Sequence, residues 1–276
     1  MLGSVADAED IVQEAFLALQ EAEDGAVVNV KAYVCKTATN LCINKLKSAR
    51  RRRETYVGPW LPEPYVSSGT GERTPLDEYI RKESLTTAYL LLIQQLSDTE
   101  RTVFLLREAL HYSFREIARL TDKTEGNCRQ IYYRAKKSIG AAPTERGLPP
   151  SKRRSIAEAF AQALVTGNLS VLMDIMTNRT MLQMDGGGKT DAALKPITGA
   201  ALIVRLFQAV RPEVPPQFTA VVRDVNGEPG IVLQADGRVF AVLSFRFGAG
   251  AIRDVYIAMN PEKLRHLQPG VSVESR

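Results

Sequence analysis

Histidine is almost absent from this sequence, cysteine is scarce, and no apolar run is long enough to cross a membrane. Of 276 residues, two are His and three are Cys. Cys35, Cys42 and Cys128 have no metal-ligand spacing, and each falls in an apolar helical pattern where a free thiol acts as a small hydrophobe. This argues against a structural zinc, and no metal or cofactor is expected. The sequence opens without a signal-peptide pattern, so a reduced, cytoplasmic setting is expected. What is plentiful is apolar and basic. A hydrophobic content of 45% supports real cores, and a net charge of +5 is a modest hint of a polyanion partner.

The chain is long enough for several small domains. A helical pattern from Ser4 ends in the run Arg50 to Arg53. Residues 54 to 74 are rich in Gly, Pro and Ser and read as a linker, which includes Trp60-Leu61-Pro62-Glu63-Pro64. A second helical zone runs from Pro75 to Ile139, and breakers from Pro143 to Ser151 close it. The last zone holds a helical stretch, Ala157 to Met176, and then alternating segments. Ala220–Val225, Ile231–Gln234, Val239–Phe247 and Ile252–Ala258 are expected to form an antiparallel meander, turned at Asn226-Gly227, Asp236-Gly237 and Gly248 to Gly250.

The strongest motif lies between Leu96 and Ile139. Ser97 and Glu100 have capping-box spacing. Ser113 to Leu120 reads as a short helix with Phe114, Ile117, Ala118 and Leu120 inward, Thr121 to Lys123 as a tight turn, and Thr124 as the cap of a second helix. On that helix Cys128, Ile131 and Ala135 can pack beneath, leaving Arg129, Gln130, Tyr133, Arg134 and Lys137 outward. Six Lys or Arg against Asp122 and Glu125 between Arg119 and Lys137 make the positive charge local. Two capped helices around a short turn, with a basic second helix, suit base edges and phosphates in a major groove.

This segment resembles region 4 of the extracytoplasmic-function sigma factors, within the sigma-70 family. The resemblance implies contacts with the −35 promoter element through Arg129, Gln130, Tyr133, Arg134 and Lys137. Val5 to Phe16 resembles region 2.2 of the same family. Ile11, Val12, Ala15, Phe16 and Leu19 form an apolar stripe, and Asp7, Asp10, Gln13 and Glu14 a polar ridge on another face. In the family this ridge docks on core RNA polymerase. Asn29 to Arg53 resembles regions 2.3 and 2.4, with Tyr33 where Trp is usual, Ala38-Thr39-Asn40 matching Ala-x-Asn, and Asn44 where Asp or Asn is common. Tyr33, Asn40, Asn44, Lys47 and Arg50 are then expected to meet an opened −10 element, where unstacked bases need aromatic or polar surfaces and the strand needs cations. The family normally carries a further helix ahead of Leu2-Gly3-Ser4, so region 2 is expected to be incomplete at its N-terminal side.

Residues 151 to 267 do not belong to a minimal sigma factor. Helices followed by a curved antiparallel sheet resemble the SnoaL-like domains of the NTF2-like superfamily. Trp60 to Pro64, Asp185-Gly186-Gly187-Gly188-Lys189 and Asn260-Pro261-Glu262-Lys263-Leu264 resemble the sigma-factor subgroup that carries such a domain. The expected organisation is multidomain: all-α region 2 (1–53), linker (54–80), all-α region 4 with its helix-turn-helix (81–142), an α+β cone (151–267) and a tail (268–276). The glycine-rich turn opens no obvious helix, which argues against a phosphate loop. A regulatory role for the cone is expected, with contacts from Trp60, Pro62, Glu63, Asp185, Gly187, Lys189, Asn260, Pro261 and Leu264. The cone could also bind a small ligand. The implied partners are core RNA polymerase and promoter DNA, with no membrane. An enzymatic cone is the alternative; Asp185, Asp254 and Tyr256 are its only candidates, and no catalysis is expected.

Overall fold

The computed structural model describes residues 2–22, 27–54, 56–67, 86–140, 148–248 and 250–268, and of 47–54 the backbone only. The chain divides into two compact units, one made of Met1–Thr55 with Leu90–Ala142, the other of Tyr56–Tyr89 with Pro143–Arg276. No helix among the described residues is long and apolar enough to cross a membrane.

The first unit is helical. Helix α1 (Val5–Gln20) starts where the Ser4 hydroxyl accepts the Asp7 amide at 3.2 Å. It packs on α2 (Val30–Glu54) through Ile11, with Leu2 and Leu46 buried beside it. After α3 (Thr87–Gln94), the Ser97–Glu100 capping box starts α4 (Asp98–Glu108) as its spacing predicts. Arg101 of α4 is 3% exposed. Its guanidinium donates to the carbonyls of Ile93 (3.2 Å), Gln94 (2.8 Å) and Leu96 (3.2 Å), at the end of α3 and just beyond it. Helices α5 (Phe114–Thr121) and α6 (Glu125–Ile139) complete the unit.

The second unit is an α+β cone. The helical stretch expected from Ala157 to Met176 is two helices, α7 (Pro150–Thr166) and α8 (Val171–Ile175), and Met176 already belongs to a strand. The cause is Gly167, which ends α7 in the left-handed conformation at φ +77°. Arg211 covers this end, donating to the carbonyls of Leu164 and Val165. Strands β1 (Met176–Asp185) and β2 (Ile197–Thr198) follow, then α9 (Ala200–Val210) and the strands β3 (Phe218–Val225), β4 (Glu228–Ala235), β5 (Arg238–Gly248) and β6 (Ala251–Ala258).

The meander β3–β6 forms as expected, each strand extending the sequence reading by one to three residues at an end. Asn226-Gly227 (φ +51° and +78°) and Asp236-Gly237 (φ +50° and +72°) turn it, positive φ at both central residues being what a tight hairpin requires. The expectation of a wholly antiparallel sheet is corrected. The order is β2-β1-β6-β5-β4-β3, with β1 parallel to β6. No local pattern in β1 records that its neighbour lies some seventy residues downstream, so strand direction was invisible. Register shifts between Leu233 and Gln234 and between Arg246 and Phe247 are the irregularities that let such a sheet curve. Leu243, Phe245, Val255 and Ile257 face the helices and pack with Phe160 and Phe207. Alternation sends Ser244, Arg246, Asp254 and Tyr256 to the opposite face.

The segment from Tyr56 to Ser67 lies on the cone. Ser67 donates its amide to Asp224 (3.1 Å), and Tyr65 exchanges bonds with Asn226: Asn226 N to the Tyr65 carbonyl (2.8 Å) and Tyr65 N to Asn226 Oδ1 (3.0 Å). Asn226 Nδ2 also donates to Thr87 Oγ1 (2.9 Å), whose hydroxyl donates to Ser244 (2.9 Å). Asn226 is therefore a buried turn residue holding both 65 and 87. Asn226→Ala is expected to cost about 2 kcal/mol, since the Tyr65 amide and the buried Thr87 hydroxyl each lose a partner. Denaturant unfolding of the full chain checks this, and an unchanged transition would show these bonds to be dispensable.

Candidate nucleic-acid interface and a buried ion pair

The turn between α5 and α6 is built from local rules. Ser113 and Glu116 form a second capping box, Asp122 closes α5 in the left-handed region at φ +51°, and the Thr124 hydroxyl accepts the Asn127 amide to start α6. Ile117, Leu120, Cys128 and Ala135 are buried between the helices. One inward assignment is corrected. Tyr132 is the large buried side chain of α6, while Ile131 is only half-buried. Tyr132 packs on Phe104 and Phe114, and its hydroxyl donates to Glu108 at 2.6 Å, an anchor an aliphatic residue lacks. Phe114 and Ala118 are likewise half-buried. Arg129, Gln130, Tyr133, Arg134 and Lys137 all lie exposed on α6. Arg129 is held by Glu125 at 2.5 Å and sits over the Phe114 ring at 5.2 Å, so its guanidinium is positioned in advance.

On α1, Ile11 and Ala15 are buried, but Val12 and Phe16 are 51% and 53% exposed, which corrects the expectation of one inward stripe. Helix α2 covers only one side of α1, and the flanking positions face out. Asp7 and Asp10 both pair with Lys45, at 2.8 and 3.2 Å, while Gln13 and Glu14 are exposed. These bonds, that to Asp7 first, raise the Lys45 pKa. Asn40 and Asn44 are exposed, one helical turn apart. Tyr33 is half-buried, with its hydroxyl donated to the Ala18 carbonyl at 3.3 Å. The side chains of Lys47 and Arg50 lie outside the described residues. Helix α2 also touches the helix-turn-helix: Tyr112 donates to Cys35 Sγ at 2.9 Å, and Lys36 lies 3.7 Å from Asp122. Burial, then the bond to Cys35, pushes the Tyr112 phenol up to about 12.

In the cone, the three pentapeptides meet at one carboxylate. Asp185, the last residue of β1, is wholly buried. Its Oδ1 accepts from the Tyr56 hydroxyl at 2.5 Å, and its Oδ2 from the Leu61 amide and from Lys263 Nζ, both at 2.7 Å. Lys263 is also buried; it donates to the Leu61 carbonyl and lies 4.0 Å from the Trp60 ring centroid and 4.9 Å from that of Tyr56. Asn260 Nδ2 donates to the Tyr56 hydroxyl at 2.8 Å, and the Met259 and Asn260 amides donate to the Asp185 carbonyl at 2.8 and 2.9 Å. His266 Nε2 lies 2.9 Å from the Pro64 carbonyl.

The glycines of this turn serve close approach. Gly187 has φ +60°, and a Cβ there would come within 2.9 Å of the Tyr56 hydroxyl. The turn leads to no helix before α9, consistent with the argument against a phosphate loop. Pro62 and Pro64 are buried and Glu63 half-buried; Leu264 is buried among Val225, Val232, Val242 and Ala258. Pro261 accepts the Leu264 amide at 3.3 Å, and Lys189 pairs with Glu262 at the exposed rim.

Of the enzymatic candidates, Asp185 is committed to this network, and Asp254 and Tyr256 bond to each other. Tyr256 donates to Asp254 Oδ2 at 3.1 Å, and Arg246 pairs with the same oxygen. The cone cavity, about 90 Å³, is on the other face of the sheet. Phe207, Phe240, Leu243, Ile257 and Met259 are among its lining residues, and none of Asp185, Asp254 and Tyr256 is.

Residues 1–52 match the family description "Sigma-70 region 2", and residues 86–139 match "Sigma-70, region 4". The ECF RNA polymerase sigma factor SigJ of Mycobacterium tuberculosis is 31% identical over 75% of this chain and 66% of its own length, so this chain spans about two thirds of that relative. The probable ECF RNA polymerase sigma factor SigI of the same species is 26% identical over 97% of this chain and 90% of its own. A crystal structure of SigJ superposes with a TM-score of 0.74 at 25% identity, covering 95% of this chain and 91% of that one. This chain belongs to the extracytoplasmic-function sigma factors. Members of that family are the polymerase subunits that recognise promoters and start transcription.

Region 2 of this sigma factor is thus α1 and α2, region 4 is α3 to α6, and an α+β domain follows them. Asp185 and Asn260 are legible in the sequence, but their partners Tyr56 and Lys263, and the contact of His266 with Pro64, are not. Lys263 was legible only as a letter of a pentapeptide; nothing local marked a buried ammonium. Lys263→Met leaves a buried carboxylate without its counter-charge and is expected to cost about 3 to 5 kcal/mol. Asp185→Asn combined with Lys263→Met is expected to recover part of that loss, as read by denaturant unfolding. Equal losses in the single and double variants would refute a coupled pair.

Burial, followed by the bond to Asp185, raises the Tyr56 phenol well above its ordinary 10.0. The folded value exceeds the unfolded one, so the contribution is complete below pH 10.0 and is lost as pH rises beyond it. Tyr56→Phe is expected to flatten the alkaline fall in stability, and an unchanged slope would assign that fall to other groups.

Proposed function

We propose that this sigma factor directs core RNA polymerase to promoters, that α6 reads the −35 element, and that α2 meets the −10 element. The observation that carries the reading is the outward face of α6, where Arg129, Gln130, Tyr133, Arg134 and Lys137 are all exposed behind a turn fixed by caps at both sides. This is the arrangement that a groove-reading helix needs. Exposed Asn40 and Asn44 favour α2 as the −10 surface, with Tyr33 contributing its half-buried ring edge. Gln13 and Glu14 are the polymerase-facing part of the ridge, and Asp7 and Asp10 meet polymerase only by sharing or releasing Lys45.

The second part of the proposal concerns the cone, which regulates without catalysis. Two recognition modules that read separate promoter elements depend on the segment joining them. Here that segment is held at Tyr56 by Asp185, at Tyr65 by Asn226, and at Thr87 by Asn226 and Ser244. Control of this hold is control of how regions 2 and 4 present themselves. A small ligand in the cone would be its signal. The apolar cavity, without the acid–base candidates, favours ligand binding over turnover.

The test is in vitro transcription with core polymerase, comparing the full chain with one ending near Ala142. Promoter-specific transcripts that increase with the short form are expected. Transcripts equal in both forms would remove the regulatory role, and none from either would remove the sigma reading. Arg134→Ala is expected to weaken −35 DNA binding by about 1 to 3 kcal/mol without altering unfolding. Unchanged affinity would remove α6 as the reading helix.

A further inference from the structure

Gly126 stands in the first turn of α6, on the side turned away from the protein. Cys128, Tyr132, Ala135 and Ile139 define the buried side. At about 100° per residue, the opposite side carries Gly126, Gln130, Tyr133 and Lys137, and all four are exposed. Glycine weakens a helix relative to alanine, so its presence there needs a cause. The fold supplies none. Gly126 has no positive φ, and a Cβ built on it meets nothing within 4 Å. Every other glycine among the described residues has a positive φ or an atom within 4 Å of where its Cβ would stand, and Gly126 has neither.

Side-chain length grows along this stripe, from none at Gly126 through Gln130 to Tyr133 and Lys137. From 126 to 137 the helix axis advances about 16 Å. A helix that enters a major groove by its N-terminal end has least room there, and its later residues must reach across a widening gap. The taper of the stripe matches that approach. Glu125, the preceding residue, does not oppose it, because its carboxylate is paired with Arg129 at 2.5 Å and is not left bare towards phosphates.

We propose that Gly126 is a specificity-determining position of the −35 surface, where the bare backbone of α6 packs against the edge of a base pair in the major groove. The inference rests on the proposed −35 role of α6 and adds to it a position that works by lacking a side chain. The clearance at Gly126 sets how deep α6 sits, and so which base edges Gln130 and Arg134 reach.

The experiment uses holoenzyme, the full chain with core polymerase, and promoter DNA randomised across the −35 region. The unaltered protein selects its preferred sequences, and Gly126→Ala and Gly126→Gln are compared with it on that DNA by gel-shift titration. Gly126→Ala is expected to raise the thermal midpoint of the free chain by about 2 to 4 °C. It is nevertheless expected to weaken binding about five-fold or more. Gly126→Gln, bulkier but equally suited to a helix, should weaken it further. Reselection with Gly126→Ala should lose preference at one or two adjacent base pairs and keep the others. Variants that bind as tightly as the unaltered protein would overturn the inference, as would a loss spread evenly over all selected positions. A lowered midpoint in Gly126→Ala would also overturn it, by showing that the fold itself requires the glycine. Failure of the unaltered holoenzyme to select any sequence would instead remove the −35 reading, and this inference with it.

Discussion

A carboxylate and an ammonium buried together are stable only while each keeps its partner and its hydrogen bonds, and Asp185 and Lys263 meet that condition by recruiting a distant stretch of chain. The Asp185 carboxylate takes two of its three donors from residues 56 to 61, the Tyr56 hydroxyl and the Leu61 amide. Lys263 donates to the Leu61 carbonyl and rests on the Trp60 ring. If the segment left, an ion pair would remain whose desolvation is poorly offset. The segment is thus part of the cone's own electrostatic balance, even though it joins two regions of a sigma factor.

The same constraint explains the composition around the pair. Glycine is required at 187 because Tyr56 and Asn260 come too close for a side chain. Pro62 and Pro64, both buried, give up no backbone donor, which suits a segment that pairs through few amides. In the helical unit the arrangement is the reverse. Caps and a small buried set hold α5 and α6 in place, and the charged groups are left on the outside, where a polyanion can use them.

What the sequence disclosed follows from range. Capping boxes, hairpin turns with Asn-Gly and Asp-Gly, and the outward face of α6 are written within a few residues, and they were legible. The parallel pairing of β1 with β6 and the meeting of Tyr56, Asp185 and Lys263 span long stretches of chain, where no local period carries a signal. The pentapeptides showed that something was fixed at three places; only the structure places all three around one carboxylate. Ile131, expected inward, gives way to Tyr132 for another reason: the Tyr132 hydroxyl has a partner in Glu108, which makes a polar-tipped residue stable inside.

The most direct test of this account is hydrogen exchange at the Leu61 amide, which donates to Asp185 Oδ2 at 2.7 Å. The account predicts protection comparable to the central strands in the full chain, and its loss in Asp185→Asn while β5 stays protected. A Leu61 amide that exchanges as fast as an unstructured peptide in the unaltered protein would contradict it, because the segment would then not be held by the buried pair.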